Sequence, residues 1–371
     1  MYGGNNWAIV RFVRLRSGLP TLLAGLRVAA PAAVLGSLLA EFGSGGNAGL
    51  GTYLIGSLGR ADPARLWGIG LAATAISGLA YLCVDLAARQ FAGNTLSVST
   101  PVGAHSHPGE AWFYRLSIAA GAAVMPFLFW WAVVLLFQAL GVSDVVLRTP
   151  FGVFDHMFLS EGAGEHLDKL WQALAQTLPY TVLGMFAGLL VAFALAIATT
   201  VWRGLGRTLL PFSLVSQSMP LVALTPLVEL VFGRGSASIL VVTVSVTFFP
   251  AFVTIAQGLA LVPPTVQDFV RAYGGGQLRQ LQLVAVPWSV PYLCAAARLA
   301  APRAFLGVMI AEWLATGTGI GNLLNESRGM LDFGMIWSVA VVAIVIAVAL
   351  NGLVGLVERS VLRRYAQGAV S

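Results

Sequence analysis

The chain has 371 residues, of which 58% are apolar and only 10% charged, with a formal net charge of +6 and a mean hydropathy of +0.83. Soluble globular domains carry roughly 25% charged residues, so an ordinary soluble domain is excluded and a membrane protein is implied. The basic balance does not point to nucleic acid, because no basic cluster with interleaved aromatics occurs.

A hydrocarbon core about 30 Å thick takes about 20 apolar residues per helix. Segments of that length fall near 19–41, 66–88, 115–141, 177–201, 208–232, 235–259, 289–315 and 335–357. The expected fold is therefore all-α: a polytopic membrane protein of about eight transmembrane helices. Met1 is not followed by a charged region and a short apolar core, so no cleavable signal peptide is expected. Cys83 and Cys294 lie inside predicted spans and read as small buried apolar residues.

Two spans lie in residues 1–88. Residues 89–114, rich in Ser, Thr, Gly and Pro and without periodicity, read as a cytoplasmic linker. His105 and His107 on it have no third ligand nearby and read as solvated, so no metal is expected. Residues 115–371 hold the other six spans. In the outer loop 142–176, Leu167, Leu170, Trp171, Leu174 and Leu178 recur at helical spacing and predict an interfacial helix lying on the outer surface.

The 208–232 segment carries Ser213, Ser216, Gln217, Ser218 and Thr225 with three prolines. Such polar groups cost free energy in lipid unless they face protein or water. Ser216, Gln217, Ser218 and Thr225, with Thr243 and Thr247 on the next span, are candidates to line a pathway. The competing reading is hydrogen bonding between or within helices. Arg27, Arg298 and Arg303 fall toward the inner ends of spans and read as snorkelling or packed side chains. Glu41, Glu229 and Glu312 fall toward the outer ends.

Between the spans ending at 259 and beginning at 289 lies the most polar break, PPTVQDFVRAYGGGQLRQLQLVAVPWSVP over 263–291. Thr265 followed three residues on by Asp268 reads as a capping box, predicting a helix from Val266. Val266, Phe269, Val270 and Tyr273 then share one face, opposite Gln267, Asp268 and Arg271. Gly274, Gly275 and Gly276 stop it, glycine being the residue that takes the left-handed backbone of helix ends. The outcome is a short amphipathic knob between two spans. With Met1 inside, the inner loops hold twelve arginines, Arg271 and Arg279 among them, and the outer loops six Lys or Arg. That bias predicts a cytoplasmic knob and cytoplasmic termini.

The beginning of the chain repeats its end. At an offset of 271, Tyr2, Gly3 and Gly4 match Tyr273, Gly274 and Gly275, Arg27 matches Arg298, and Ala40-Glu41 match Ala311-Glu312. After a one-residue slip, Gly49-Leu50-Gly51 meet Gly319-Ile320-Gly321, and Trp67 meets Trp337. The expected organisation is an unequal tandem duplication: 1–88 as the C-terminal half of a first copy, 89–114 as linker and 115–371 as a complete second copy. The first copy begins inside its own knob, so a late start, a separate chain or decay of that copy are all open.

No ATPase motif is available within this sequence. The one lysine, Lys169, falls in an outer loop, whereas a P-loop needs lysine on the nucleotide phosphates. No cofactor motif and no catalytic constellation is found either.

The knob resembles the EAA loop of ABC-importer permeases. Asp268 stands at its acidic position, Gly274 at its glycine and Pro287 at its proline, while Phe269 and Val270 replace its two small residues. The order of proline-rich span, VPPTVQDFVRAYGG, VPWSVPYLCAAARLAAPRAFLGVMIAEW, ATGTGIGNLL and ERSVLRR resembles the nitrate/sulfonate/taurine permeases over nearly all of 115–371. The resemblance implies a type I importer permease in a bacterial cytoplasmic membrane, carrying a small anionic or zwitterionic solute such as a sulfonate, taurine, nitrate or a pyrimidine precursor. It implies separate ATP-binding subunits, an external solute-binding protein and, for the partial copy, another permease chain. It also implies ATPase coupling through Asp268, Phe269, Arg271, Ala272, Gly274, Gly275, Arg279 and Pro287. An ion-coupled secondary transporter and a non-transporting fragment are the alternatives.

Overall fold

The computed structural model describes residues 7, 15–44, 48–60, 62–92, 112–143, 145–202, 204–206, 208–209 and 221–368. Most of the expected linker, with His105 and His107, lies outside these residues, as do Gly3, Gly4, Ser213, Ser216, Gln217 and Ser218.

Every described element is helical. The first region has α1 (Leu15–Ser44), α2 (Leu50–Gly59) and α3 (Pro63–Ala92). Then come α4 (Trp112–Ala139), α5 (Pro150–Phe158), α6 (Ala163–Val201), α7 (Leu221–Phe232), α8 (Ser236–Ala260) and α9 (Pro264–Ala272). A 40-residue helical rod follows, α10 (Gln277–Thr316), with π turns at Leu281–Ala285 and Glu312–Thr316. The chain ends with α11 (Gly319–Gly329) and α12 (Phe333–Gly368). Five helices among the described residues are long and apolar enough to cross a membrane: α3, α6, α8, α10 and α12.

The chain divides into two compact units. Unit 1 takes residues 1–92, 173–322 and 344–371, and so draws on both sides of the linker. Within it α8 packs along α10 over the most extensive helix pair, and α1 packs on α3. One core joins Leu54 and Leu66 from α2 and α3 to Leu227, Ile239, Val242 and Val308. A second joins Leu189, Ala192 and Ala196 of α6 to Phe252 and Ile255 of α8 and Ala300 of α10. Helix α8 is thus the spine of both. Small residues let the rods approach: a Cβ on Gly258 would run into the ring of Tyr292.

Unit 2 takes residues 93–172 and 323–343. Trp130 and Trp337 stack at 5.3 Å, and Trp337 Nε1 donates to the Val146 carbonyl at 2.9 Å. His156 and His166 stack at 4.1 Å. Burial first, and the neighbouring His166 second, lower the pKa of the His156 imidazole.

Two sequence expectations change here. The interfacial helix of the outer loop is not separate from the following span: α6 runs unbroken through Pro179 for 39 residues. Proline removes one backbone hydrogen bond, which a rod of this length survives, and Leu170 and Leu174 are buried. The capping box at Thr265 does not form. Helix α9 begins at Pro264, capped by Pro263 with no side-chain bond, because proline is already set for the first helical position.

Candidate functional site

Helix α9 is nine residues long with no buried member. Its stop has the backbone that three glycines permit. Gly274 takes φ +74°, Gly274 N–H donates to Arg271 O at 2.9 Å and Gly275 N–H donates to Val270 O at 2.9 Å. These are the paired bonds of a Schellman end. A Cβ on Gly275 would fall 2.7 Å from the Val270 carbonyl oxygen, so that position accepts glycine alone without rearrangement. The Gln280 amide then donates to Gly275 O at 3.3 Å, fastening the turn to the first turn of α10.

The orientation of α9 is the informative feature. Gln267 and Arg271 line a cleft of about 520 Å³ shared with Gln277, Gln280, Thr200 and Val284. Gln267 and Arg271 thus border this cleft, while Asp268, the third polar residue of that face, stays exposed. The apolar residues point away: Phe269 is 64% and Tyr273 77% exposed, their rings 4.9 Å apart. An isolated amphipathic helix would be expected to bury that face.

The structure brings together most of the residues expected for coupling. Asp268 and Arg271 pair at 3.4 Å along the exposed helix. Ala272 and Arg279 are exposed, Gly274 and Gly275 form the stop, and Pro287 lies one turn of π-helix further along α10. The described candidates for the pathway, by contrast, are fully buried: Thr225, Thr243 and Thr247 have no exposure. Thr243 Oγ1 donates to Ile239 O at 2.7 Å and Thr247 Oγ1 to Thr243 O at 2.8 Å. A Cβ on Gly184 would collide with Thr243, and one on Gly188 with Thr247. Gly307 faces Thr243 from α10. The two threonines thus occupy a seam of three helices, the intrahelical alternative that the sequence left open.

A second polar cluster was not foreseen as a unit. Glu312 is 1% exposed. Both of its carboxylate oxygens accept from Thr177 Oγ1, at 2.8 and 2.9 Å, and Oε2 also accepts from Gly321 N–H at 3.0 Å. Thr177 in turn accepts from Ile320 N–H at 2.9 Å, and Gln176 Oε1 accepts from Gly319 N–H at 2.8 Å. Three amides at the start of α11, left without partners by helix geometry, are thereby satisfied. Gly319, at φ +78°, has no room for a Cβ against Glu312. The same clasp recurs in the first region: Gly51 N–H donates to Glu41 Oε2 at 2.9 Å, and Gly49, φ +132°, abuts that carboxylate. The repeated Glu and Gly-x-Gly were the available signal; nothing in the sequence marked Thr177.

Comparison with known proteins gives a consistent picture. The family described as "Binding-protein-dependent transport system inner membrane component" matches residues 1–95 and 184–366. The chain is 28% identical over 185 residues to a probable ABC transporter permease protein of Haemophilus influenzae, covering 50% of this chain and 76% of that one. It is 30% identical over 161 residues to the riboflavin transport system permease protein RibX of Chloroflexus aurantiacus, covering 43% and 60%. Against the taurine transport system permease protein TauC of Escherichia coli it is 23% identical over 233 residues, covering 62% and 84%.

Proposed function

The chain belongs to the family of binding-protein-dependent transport system inner membrane components, and on that premise we propose that it is the permease of an ATP-driven importer for a small anionic or zwitterionic solute. The ATPase is a separate subunit, and α9 with its glycine stop is the part it grips. The single observation that carries this reading is the pair of outward-facing apolar rings, Phe269 and Tyr273, on a helix with no buried residue. A face of that kind is complementary to an apolar groove on another protein. The solute class rests on the relatives named for aliphatic sulfonates and taurine; those named for riboflavin and formylaminopyrimidine widen it to nitrogen-ring compounds.

In this reading the arginine bias puts α9 and both termini on the cytoplasmic side, and an external binding protein delivers the solute. The polar span at 208–232, with Ser216, Gln217 and Ser218, contributes to the pathway. The family match to 1–95 as well as 184–366 and the recurrence of the carboxylate clasp support an unequal duplication, with the first copy completed by another permease chain.

The test is co-purification with the ATPase encoded nearest to this reading frame, together with solute uptake into vesicles. Phe269→Asp should abolish both association and ATP-driven uptake while leaving thermal unfolding of the chain unchanged. Uptake that continues without any nucleotide-hydrolysing partner, driven by a proton or sodium gradient, would overturn the reading in favour of a secondary transporter.

A further inference from the structure

Between α10 and α12, within unit 1, runs a groove of about 710 Å³ that importer function as described does not use. Leu299, Ala347 and Val348 give it apolar walls, and Arg298, Arg303 and Glu358 open onto it. Arg298 and Glu358 pair at 3.5 Å. Arg303 makes no ion pair or hydrogen bond with any described residue, yet it stands well inside the apolar span Gln277–Thr316. Its guanidinium stays charged, and an uncompensated charge at that depth is costly in lipid. The internal repeat sharpens the point: Arg298 has its counterpart in Arg27, whereas Ala32 stands opposite Arg303. The extra charge is a property of this groove and not of the repeated scaffold.

We propose that the groove binds one anionic phospholipid, its phosphodiester on Arg303 and an acyl chain along the α10–α12 walls. Charge complementarity selects this occupant. With Arg298 and Glu358 cancelling, the groove carries one net positive charge, which a single phosphodiester matches. Helical side chains lean toward the N-terminus of their helix, so Arg303 reaches back toward the level of Arg298, five residues and about 7.5 Å along the axis. The headgroup therefore lies toward the end of α10 that carries α9. A small free oxyanion would neutralise Arg303 but leave the apolar walls uncovered. Leu299 is 50% and Val348 66% exposed, and a two-part ligand covers both features. Basic pockets between transmembrane helices are known headgroup sites.

The experiment is native mass spectrometry of the full chain in mild detergent, supplied with equal amounts of phosphatidylglycerol and phosphatidylethanolamine. One retained phosphatidylglycerol is expected, reduced roughly tenfold or more in Arg303→Gln and unchanged in Arg65→Gln. Ala347→Trp fills the groove while keeping the charge and should give the same loss, so the question stays answerable if Arg303→Gln does not fold. Inorganic phosphate and methanesulfonate serve as competitors. Displacement of the lipid by either, in an Arg303-dependent way, would make the groove a free-anion site and overturn the proposal. Equal retention of both lipids, or no change in the Arg303→Gln and Ala347→Trp chains, would overturn it too.

Discussion

The seam of α6, α8 and α10 and the projecting helix α9 follow opposite rules. In the seam, polar groups are inside and none is idle: Thr243 and Thr247 bond backward along α8, and Glu312 gathers the amide of Gly321 and the hydroxyl of Thr177. In α9 the large apolar groups are outside: Phe269 and Tyr273 are mostly exposed, their rings 4.9 Å apart. The contrast separates what keeps this protein folded from what it offers to others. Substitutions in the two regions should therefore fail in different ways.

Loss of the clasp is the largest expected effect. Glu312→Leu would strand the Gly321 amide in a buried site, at up to about 3 kcal/mol, and leave the Thr177 hydroxyl only the Ala173 carbonyl to donate to. The chain should melt earlier and express poorly, read by fluorescence-detected unfolding in detergent, and Glu312→Gln should recover part of the loss. A Glu312→Leu chain with wild-type melting would dissolve the contrast. Next comes Gly188→Val, which drives a side chain into Thr247. Overpacking of that kind costs about 1–3 kcal/mol, again seen in melting and not specifically in transport.

The projection should behave in reverse. Gly274→Leu forces a branched side chain into the left-handed region, a local cost of about 1–2 kcal/mol confined to the stop of α9. Its melting should move little while ATPase association and uptake are lost. If instead melting collapses and a residual complex survives, α9 belongs to the core and the division drawn above is wrong.

The smallest effect concerns pH and the histidine pair of unit 2. Burial holds the folded-state pKa of His156 below its ordinary value of 6.5, so the unfolded chain takes up that proton more readily. Stability from this group is then complete above pH 6.5 and declines as the pH falls through the folded-state value. A melting series from pH 7.5 to pH 5 on wild type and His156→Gln should show a steeper acid loss in the wild type.

Much of this division was legible in the sequence, and the parts that were not share a cause. The long apolar runs marked α3, α6, α8, α10 and α12, because lipid-length hydrophobicity needs no tertiary context. Glycines 274 to 276 marked the end of α9 for an equally local reason. Thr265 and Asp268 misled because proline at the first turn competes with a capping box for the same role, and the sequence does not say which prevails. Thr243 and Thr247 were ambiguous for a different reason. A threonine facing a wet passage and one facing Gly184 or Gly188 look alike until the neighbouring helix is in place. Thr177 was invisible, since its partner Glu312 lies 135 positions away. Distance along the chain, not chemistry, set the limit.

The self-contained ending of α9 has a mechanical consequence. Two bonds tie the glycine stop back to Val270 and Arg271, and the Gln280 amide pins it to the rod beyond. The knob is thus stiff before anything touches it. A body pressing there spends none of its effort on straightening slack chain, and the displacement passes into the shaft as it would through a tooth cut from the same metal.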